Sequence, residues 1–407
     1  MNIKPIMIVQ GAQWGSEGKG MVAAALCQRR EVDYAVRTGA VNAGHTVYHK
    51  GIPYKMQQLP TGWVNPRTTL VIGPGAYVNP AILAAEISTI REAGARNPVI
   101  VDWRAGLHLD THTARAKESG REYRIGATGK GCSEAIVDRI KRADGTMLFK
   151  DWCQTVKYNA DFQFRDTVYE LHRAYDMGMR ILLEGTQGTF LDLYLGPYPF
   201  TTHKQTIAAQ WVTEAGLAPG MEYETVLVAR TYPIRVAGNS GPMPGEMDWV
   251  DLAMDINSKL RAAGRPPMVA DASLAAYVKS LRKCEESNIY TDPLVAKKNL
   301  PSDALAGVTE EHRRELMKLF ETTTVTHKLR RVAAFDEDFV RTAVRINRPA
   351  WVALTFLNYV FPELWYEESI EHQGAHNYRK RIEKKIGCPI RAVTTGPRSE
   401  HFHEIMW

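Results

Sequence analysis

A short apolar run followed by a glycine-rich segment constrains this chain more than any other feature. Residues 6–9 are all apolar, and residues 11–20 follow them with the sequence GAQWGSEGKG. This pattern predicts a buried strand that leads through a glycine turn into a helix. Phosphate binds at such a turn, because backbone N–H groups and the positive end of the helix dipole point to the same place. The segment is not the ordinary phosphate loop G-x-x-x-x-G-K-[ST], because Gln13 takes the first glycine's place and Gly20 follows Lys19. As a bare pattern it fits phosphate binding and tight strand-to-helix packing equally well.

Strand-like and helix-like patterns alternate along the rest of the chain. Apolar runs of strand length occur at residues 6–9, 70–72, 99–101, 181–183, 226–229, 352–355 and 390–393. Helical patterns lie between them at residues 80–93, 166–175, 249–262, 273–282 and 336–344. This order predicts an α/β fold with a mostly parallel central sheet covered by helices, in one domain spanning residues 1–407. Ligands are then expected in the loops at the carboxyl ends of the strands.

Composition excludes several classes of protein. The chain has 44% hydrophobic and 24% charged residues, which is typical of a globular enzyme. The apolar run at residues 6–9 is too short to span a membrane and no cleavage site follows it, so we expect a cytoplasmic protein without a membrane partner. Five cysteines without a CxxC pair argue against a disulfide framework and a zinc site. The net charge of +6 comes without a long basic run, which favours small anions over nucleic acid as partners.

The full string at residues 11–20 is similar to the opening signature of adenylosuccinate synthetases, which join aspartate to a 6-oxopurine nucleotide. The resemblance extends in register over nearly the whole chain, through segments 41–46, 125–131, 184–189, 198–202, 325–331 and 394–397. It implies a fold related to P-loop NTPases, a Mg²⁺ cofactor and a homodimer. Without the resemblance, His45 would more often be a packed or surface histidine, and Arg142 would be an ordinary solvated residue. The segments 184–189 and 198–202 would be a strand end and a proline turn.

The resemblance assigns roles to individual residues. The implied catalytic residues are Ser16, Glu17, Lys19, His45 and Gln187. The implied residues around the nucleoside triphosphate are Gly15, Ser16, Glu17, Gly18, Lys19, Gly20, Gly44, His45, Thr46, Asn358, Thr395, Gly396 and Pro397. Those around the acceptor nucleotide are Ser16, Asn42, Ala127, Thr128, Arg142, Gln187 and Thr202, with Arg142 reaching across a dimer interface. Those around L-aspartate are Val325, Thr326, Lys328, Arg330 and Arg331, and those implied for the metal are Ser16 and Gly44.

Two departures from the family pattern concern the two purine pockets. Ser16 replaces the aspartate that takes the proton from the acceptor base, and a shorter side chain makes room for the 2-amino group of guanine. Phe356 and Asn358 replace a lysine and an aspartate, and an asparagine both donates and accepts, as pairing with adenine requires. Asn358 could instead end a strand and cap the next turn.

Together the two departures indicate dGMP as acceptor and ATP or dATP as donor. This pairing resembles the phage-type branch of the family, which makes N6-succino-2-amino-2′-deoxyadenylate for 2-aminoadenine DNA, and it implies the host cytoplasm if a phage encodes the chain. The group that deprotonates N1 stays open between Glu17, water and a metal-bound phosphate. Three alternatives also stay open: an ordinary synthetase using IMP and GTP, a non-catalytic nucleotide-binding descendant, and a nucleic-acid-binding protein.

Overall fold

The computed structural model describes residues 4–287, 293–323 and 328–405. Its strands are β1 (Ile6–Gly11), β2 (Tyr34–Arg37), β3 (His45–His49), β4 (Ile52–Met56), β5 (Thr69–Ile72), β6 (Tyr77–Val78), β7 (Val99–Asp102), β8 (Gly106–Leu107), β9 (Gln163–Arg165), β10 (Ile181–Glu184), β11 (Tyr223–Arg230), β12 (Ile234–Arg235), β13 (Glu246–Met247), β14 (Arg331–Ala333), β15 (Trp351–Thr355), β16 (Ile390–Thr394) and β17 (Phe402–Glu404).

The α-helices alternate with these strands. They are α1 (Lys19–Arg29), α2 (Pro80–Glu92), α3 (Asp110–Glu118), α4 (Arg121–Ile125), α5 (Cys132–Lys141), α6 (Phe149–Thr155), α7 (Thr167–Asp176), α8 (Ala208–Ala215), α9 (Trp249–Ala262), α10 (Asp271–Glu286), α11 (Pro293–Ala306), α12 (Glu310–Leu316), α13 (Glu337–Asn347), α14 (Leu357–Val360) and α15 (Gln373–Ile386). No helix in the described ranges is long and apolar enough to cross a membrane.

A ten-stranded sheet forms the centre of the described structure, in the order β17-β16-β15-β11-β1-β10-β2-β5-β7-β9. Its strand pairs are parallel except β16 with β17. The predicted mostly parallel sheet covered by helices is therefore confirmed, and all seven apolar runs lie in it. The short strands β9 and β17 were not predicted, because neither carries an apolar run of its own, and β2 was not predicted although residues 34–36 are apolar.

Both faces of the inner strands of the sheet are buried, which explains why these strands lack polar alternation. In β1, Met7 and Val9 pack in the cluster that contains α1, whereas Ile6 and Ile8 pack on the opposite side against residues of α7 and α8. Parallel strands covered by helices on both faces are apolar throughout for this reason. A separate cluster joins α9 and α10 to the small sheet β12-β14-β13.

Candidate active site

The carboxyl ends of the central strands form the floor of the candidate site. After β1 the chain builds β2, β5, β7 and β9 on one side, then inserts β10 beside β1 and places β11, β15 and β16 on the other side. Such a reversal leaves a crevice at the strand ends, where ligands bind in open α/β sheets. The loops that follow β1, β2, β10, β11 and β15 all start at this edge.

The glycine-rich turn after β1 is held together by a buried carboxylate. One oxygen of Glu17 accepts hydrogen bonds from the backbone N–H groups of Gln13 (3.0 Å) and Gly15 (2.9 Å). The other oxygen lies 2.5 Å from Nζ of Lys19. A side chain at Gly11 would place its Cβ 2.7 Å from that carboxylate, so this position requires glycine. Both oxygens of Glu17 are engaged, which gives this residue a bracing role in the turn rather than access to a substrate.

Ser16 is the exposed residue of the turn, and two arginines hold it. Its backbone has a φ of 59°, and its hydroxyl oxygen accepts a hydrogen bond from Arg330 at 3.2 Å. Arg230 donates to the Ser16 carbonyl at 3.3 Å and forms an ion pair with Glu321. The Arg230 guanidinium also stacks on the ring of Phe356, 3.7 Å from its centroid. The structure thus joins Ser16 to the segments around residues 330 and 356, which the sequence assigned to aspartate and donor binding.

His45 begins β3 and is held by a carboxylate on β10. Its Nδ1 lies 2.5 Å from Glu184, which also accepts hydrogen bonds from Arg37 (3.1 Å) and from the backbone N–H (2.7 Å) and hydroxyl (2.9 Å) of Thr61. Burial, together with the charge of Arg37, lowers the pKa of His45 to about 4. Burial raises the pKa of Glu184, but the hydrogen bond from His45 and the charge of Arg37 outweigh it, so its pKa is lowered. The neutral ring donates Nδ1–H to an ionised Glu184 and keeps Nε2 unprotonated.

The charged partners of these groups were given no role from the sequence, although Glu184 begins the predicted segment 184–189. Arg37, Glu184 and Arg230 are each the last residue of a buried strand, respectively β2, β10 and β11. Each is at most 2% exposed. A charged residue that ends an apolar run is a usable signal, because the carboxyl edge of a parallel sheet is where such a charge meets a partner or a ligand.

Asn358 lies in α14, directly after β15, and is 3% exposed. Its side-chain oxygen is buried and has no hydrogen-bond partner among the residues that the structure describes. Phe356 is the residue at the N-cap of α14, and no side chain caps this helix. The alternative in which Asn358 caps the turn is therefore wrong for α14, and a buried acceptor is left open beside the strand end.

The loop after β16 contains the last predicted segment. Thr395 donates its hydroxyl to the carbonyl of Glu367 at 2.7 Å. A Cβ at Gly396 would lie 2.9 Å from the ring of Tyr366, so the loop runs close against that ring. Pro397 follows in the same half-buried loop. Thr395 is fully buried, so of these three predicted residues only Gly396 and Pro397 reach the surface of the loop.

The residues predicted around the acceptor nucleotide lie on four segments of the chain, besides Ser16 and Arg142. Gln187 has a φ of 63° and its backbone lies against Gly15, whose Cβ would be 3.7 Å away. In the segment 125–131 Thr128 is exposed, and Gly126 packs on Ser240, since a Cβ there would be 2.7 Å from that side chain. Asn42, Ala127 and Thr202 are half-buried.

Arg142 stands apart from these loops. It is exposed at the end of α5, with a φ of 52°, and lines a surface cleft with Tyr77 and Arg139.

The aspartate segment is described only in part. Val325 and Thr326, with His327, lie outside the described residues. The carbonyl oxygen of Lys328 accepts a hydrogen bond from the backbone N–H of Thr323 at 2.8 Å, and the N–H of Lys328 donates to the Thr323 hydroxyl at 3.1 Å. Arg330 faces Ser16, as above. Arg331 turns away and forms two bonds to Glu246, at 2.5 and 2.6 Å, so the structure gives its guanidinium a fixed protein partner.

The residues implied for magnesium supply little charge. Ser16 offers a neutral hydroxyl, and Gly44 is exposed with open space at its Cα. In the described ranges no three His, Cys, Asp or Glu side chains form a metal-binding group. Magnesium commonly keeps several waters and binds substrate phosphates rather than an all-protein cage. The residues therefore fit an ion held mainly by the phosphates of the donor.

A phosphate-type turn at the reversal point of a parallel sheet, with a histidine–glutamate pair beside it, defines a nucleotide-binding α/β enzyme. Comparison with known proteins specifies the class. The family model described as Adenylosuccinate synthetase matches residues 8–163 and 147–362. The adenylosuccinate synthetase of Methanocaldococcus jannaschii is 30% identical over 394 residues, covering 96% of this chain and 94% of that protein. The one of Thermococcus sibiricus is 29% identical over 405 residues, covering 98% of both.

This chain therefore belongs to the adenylosuccinate synthetase family. It is a C–N bond-forming ligase of purine biosynthesis that uses a nucleoside triphosphate. The solved structures agree on the fold. The succinoaminodeoxyadenylate synthetase of cyanophage S-2L, bound to dGMP and to dATP as an energy donor, has a TM-score of 0.71 at 23% identity and covers 99% of this chain and 96% of its own. The fully ligated adenylosuccinate synthetase of Plasmodium falciparum has a TM-score of 0.67 at 17% identity, covering 99% and 100%.

Proposed function

We propose that this ligase joins L-aspartate to C6 of dGMP, with ATP or dATP as donor, and forms N6-succino-2-amino-2′-deoxyadenylate. The observation that carries the proposal is the buried, unpartnered side-chain oxygen of Asn358 at the place where the family has an aspartate. The cyanophage synthetase of the same fold supports it, because that protein binds the same pairing of a guanine acceptor with an adenine donor.

The donor assignment follows from hydrogen-bond directions. Adenine presents a 6-amino donor beside a ring-nitrogen acceptor, whereas guanine presents two donors, N1–H and the 2-amino group. The amide of Asn358 offers one acceptor and one donor, so it can pair with both groups of adenine. Against guanine, its NH₂ group would face a second hydrogen-bond donor. A buried acceptor without a partner costs about 1–3 kcal/mol, which a bound adenine amino group would recover.

The acceptor assignment depends on the corner at Ser16. The hydroxyl of Ser16 is shorter than the carboxylate it replaces, and it has a second lone pair besides the one that Arg330 uses. A guanine 2-amino group can therefore enter the corner and donate to Ser16. The 5′-phosphate of the acceptor would lie at the loops of Thr128 and Thr202, with Arg142 reaching the acceptor of a second copy in a homodimer.

The reaction has two stages. The 6-oxygen of the purine attacks the γ-phosphorus of the donor, and a nucleoside diphosphate leaves. The amine of L-aspartate then bonds to C6 and displaces the 6-oxygen as phosphate. Magnesium, when bound, neutralises phosphate charge during the transfer. The proton on N1 leaves to water or to a phosphate oxygen of the donor, because both oxygens of Glu17 are engaged in the turn.

His45 contributes at the transferring phosphoryl group. Nδ1 of its ring is fixed by Glu184, so Nε2 is the nitrogen available to the phosphates. The positive charges that lower its pKa are those of Arg37 and Lys19, and negative donor phosphates oppose them. Donor binding therefore raises the pKa of His45 and favours the imidazolium, which can donate Nε2–H to the developing charge.

The test is phosphate release with L-aspartate and magnesium across dGMP, GMP, IMP and dIMP, each with ATP, dATP or GTP, with products identified by mass. We expect turnover confined to dGMP with an adenine donor. Preference for IMP with GTP would instead assign the reaction of the archaeal relatives. Absence of turnover, with nucleotide affinity retained in calorimetry, would indicate a binding-only descendant.

A further inference from the structure

A chain of buried hydrogen bonds ends on the loop at residues 125–131. His108 follows β8 and is 1% exposed. Its Nε2 lies 2.6 Å from the carbonyl oxygen of Lys130, and its Nδ1 lies 3.2 Å from the side-chain nitrogen of Asn79. The Lys130 carbonyl accepts a second bond from the hydroxyl of Thr113 at 3.2 Å. The imidazole thus bridges the start of α2 and the end of the loop that carries Thr128.

The partners of Asn79 determine where the proton on this imidazole lies. Asn79 caps α2, because its side-chain oxygen accepts from the backbone N–H of Ile82 at 3.1 Å. Its backbone is held on both sides by the side chain of Gln58, at 2.8 and 2.9 Å. With the oxygen committed to the cap, the NH₂ group of Asn79 must donate to Nδ1 of His108. The Lys130 carbonyl can only accept, so Nε2 must carry the proton.

We propose that His108, as the neutral Nε2–H tautomer, is a positioning residue that fixes the acceptor-phosphate loop through the Lys130 carbonyl. The inference rests on the proposed function, in which this loop holds the 5′-phosphate of the acceptor. Thr128 precedes the anchored carbonyl by two residues and is exposed at the loop surface. Gly131 follows it in a left-handed conformation with a φ of 73° and is the N-cap residue of α5. The loop is therefore anchored at its carboxyl end while Gly126 packs on Ser240 at the other end.

The electrostatic surroundings agree with a neutral ring. His112 and Asp110 on α3 are the titratable groups facing His108, and the two histidine rings are 5.6 Å apart. Burial and the nearby His112 lower the pKa of His108, and they outweigh the opposite effects of its hydrogen bond to the Lys130 carbonyl and of Asp110. A second proton would place N–H on Nδ1 against the NH₂ group of Asn79, which cannot rotate without uncapping α2.

The test compares His108→Phe with His108→Gln, because the glutamine NH₂ can still donate to the Lys130 carbonyl. Loss of one such bond predicts a rise of about 5-fold in KM for dGMP in His108→Phe, with KM for ATP unchanged. In His108→Gln we expect KM for dGMP within about 2-fold of the parent. His172→Phe and His172→Gln are matched controls, since His172 also bonds a carbonyl, that of Gly216 at 3.0 Å, but lies on α7. Both controls are expected to leave the two KM values unchanged.

Equal changes in both KM values, or failure of glutamine to restore KM for dGMP, would overturn the proposal. If the phenylalanine variant does not fold, the ¹⁵N spectrum of the parent decides, because a protonated Nδ1 excludes the assigned bridge. Calorimetric titration with dGMP and with IMP separates the two hypotheses. Weakened binding of whichever nucleotide the parent binds supports the role of His108, while lack of dGMP turnover in the parent contradicts only the proposed substrate.

Discussion

Ser16 is the residue whose side chain decides how much room the acceptor base has. Its left-handed backbone is one that aspartate tolerates, and an aspartate there would lie beside Arg330. We expect Ser16→Asp to fold and to lower kcat/KM for dGMP roughly 5- to 150-fold, because the carboxylate fills the corner that the 2-amino group needs and costs about 1–3 kcal/mol of fit. The same variant is expected to gain turnover with IMP or dIMP.

Steady-state kinetics with dGMP, IMP and dIMP measure this change. Ser16→Ala is the control, because it removes the hydroxyl without filling the corner and should keep dGMP ahead of IMP. If the aspartate variant keeps full turnover of dGMP, then the short side chain of Ser16 is not what makes room for the 2-amino group.

Asn358 provides the second prediction at the scale of one residue. Asn358→Asp replaces a donor–acceptor pair by two acceptors, which suit guanine and repel the ring nitrogen of adenine. We expect the ratio of kcat/KM for ATP over GTP to fall roughly 10- to 100-fold, the equivalent of about 1–3 kcal/mol. Asn358→Ser should weaken ATP without favouring GTP. An unchanged ratio in the aspartate variant would exclude Asn358 from donor recognition.

At the scale of elements, α13 supports the glycine-rich turn through aromatic stacking. Phe339 on this helix lies 3.6 Å from the ring centroid of Phe190 and 4.5 Å from that of Trp14, which belongs to the turn. Asp336 caps the helix by accepting from the backbone N–H of Phe339 at 2.9 Å. The cap and the stack therefore meet at the same residue, and the start of α13 is coupled to the site.

We expect Asp336→Ala to lower the free energy of unfolding by about 1 kcal/mol, the usual value of such a cap. Urea unfolding followed by circular dichroism measures it. Asp338→Ala is the matched control on the same first turn, where a side chain that is 77% exposed only pairs with Arg341. That change should cost less than about 0.5 kcal/mol. Equal losses in the two variants would show that the cap does not stabilise the helix.

At the scale of the whole molecule, buried histidines link stability to pH. Burial lowers the pKa of His45 to about 4 and that of His203 to about 3, in the latter case with the charges of Lys204 and Arg121 adding to the effect. The unfolded chain binds protons at these residues near pH 6.5, where the folded chain does not. Their contribution to the free energy of unfolding is therefore complete above pH 6.5 and is lost as the pH falls towards about 4 for His45 and about 3 for His203.

The free energy of unfolding should fall by on the order of 1 kcal/mol per pH unit for each such histidine between pH 6.5 and 4. Urea titrations at pH 7, 6 and 5 measure this slope. His203→Gln is expected to make it shallower, whereas the exposed His376→Gln should leave it unchanged. Equal slopes in all three proteins would contradict the assignment for His203.

How much the sequence predicts depends on how local the signal is. The seven apolar runs and the turn at residues 11–20 predicted the sheet and its ligand edge, because burial on both faces forces uninterrupted apolar strands. Strands without such a run, for example Gln163–Arg165, were not predicted. Among the site residues, Ser16 and Asn358 were found because they depart from a family pattern. No local pattern shows that the charged residues at three strand ends contact His45 or Ser16; these residues are Arg37, Glu184 and Arg230.

The sequence by itself determined the fold class, the phosphate-type turn and the two departures in the purine pockets. Only the tertiary structure decided which charges meet: His45 with Glu184 across 139 residues, Arg330 with Ser16 across 314, and Arg331 with Glu246 rather than with the crevice. The reason is physical. Hydrophobic periodicity and turn chemistry act over a few residues, whereas the partner of a buried charge depends on the order in which distant strands pair in the sheet.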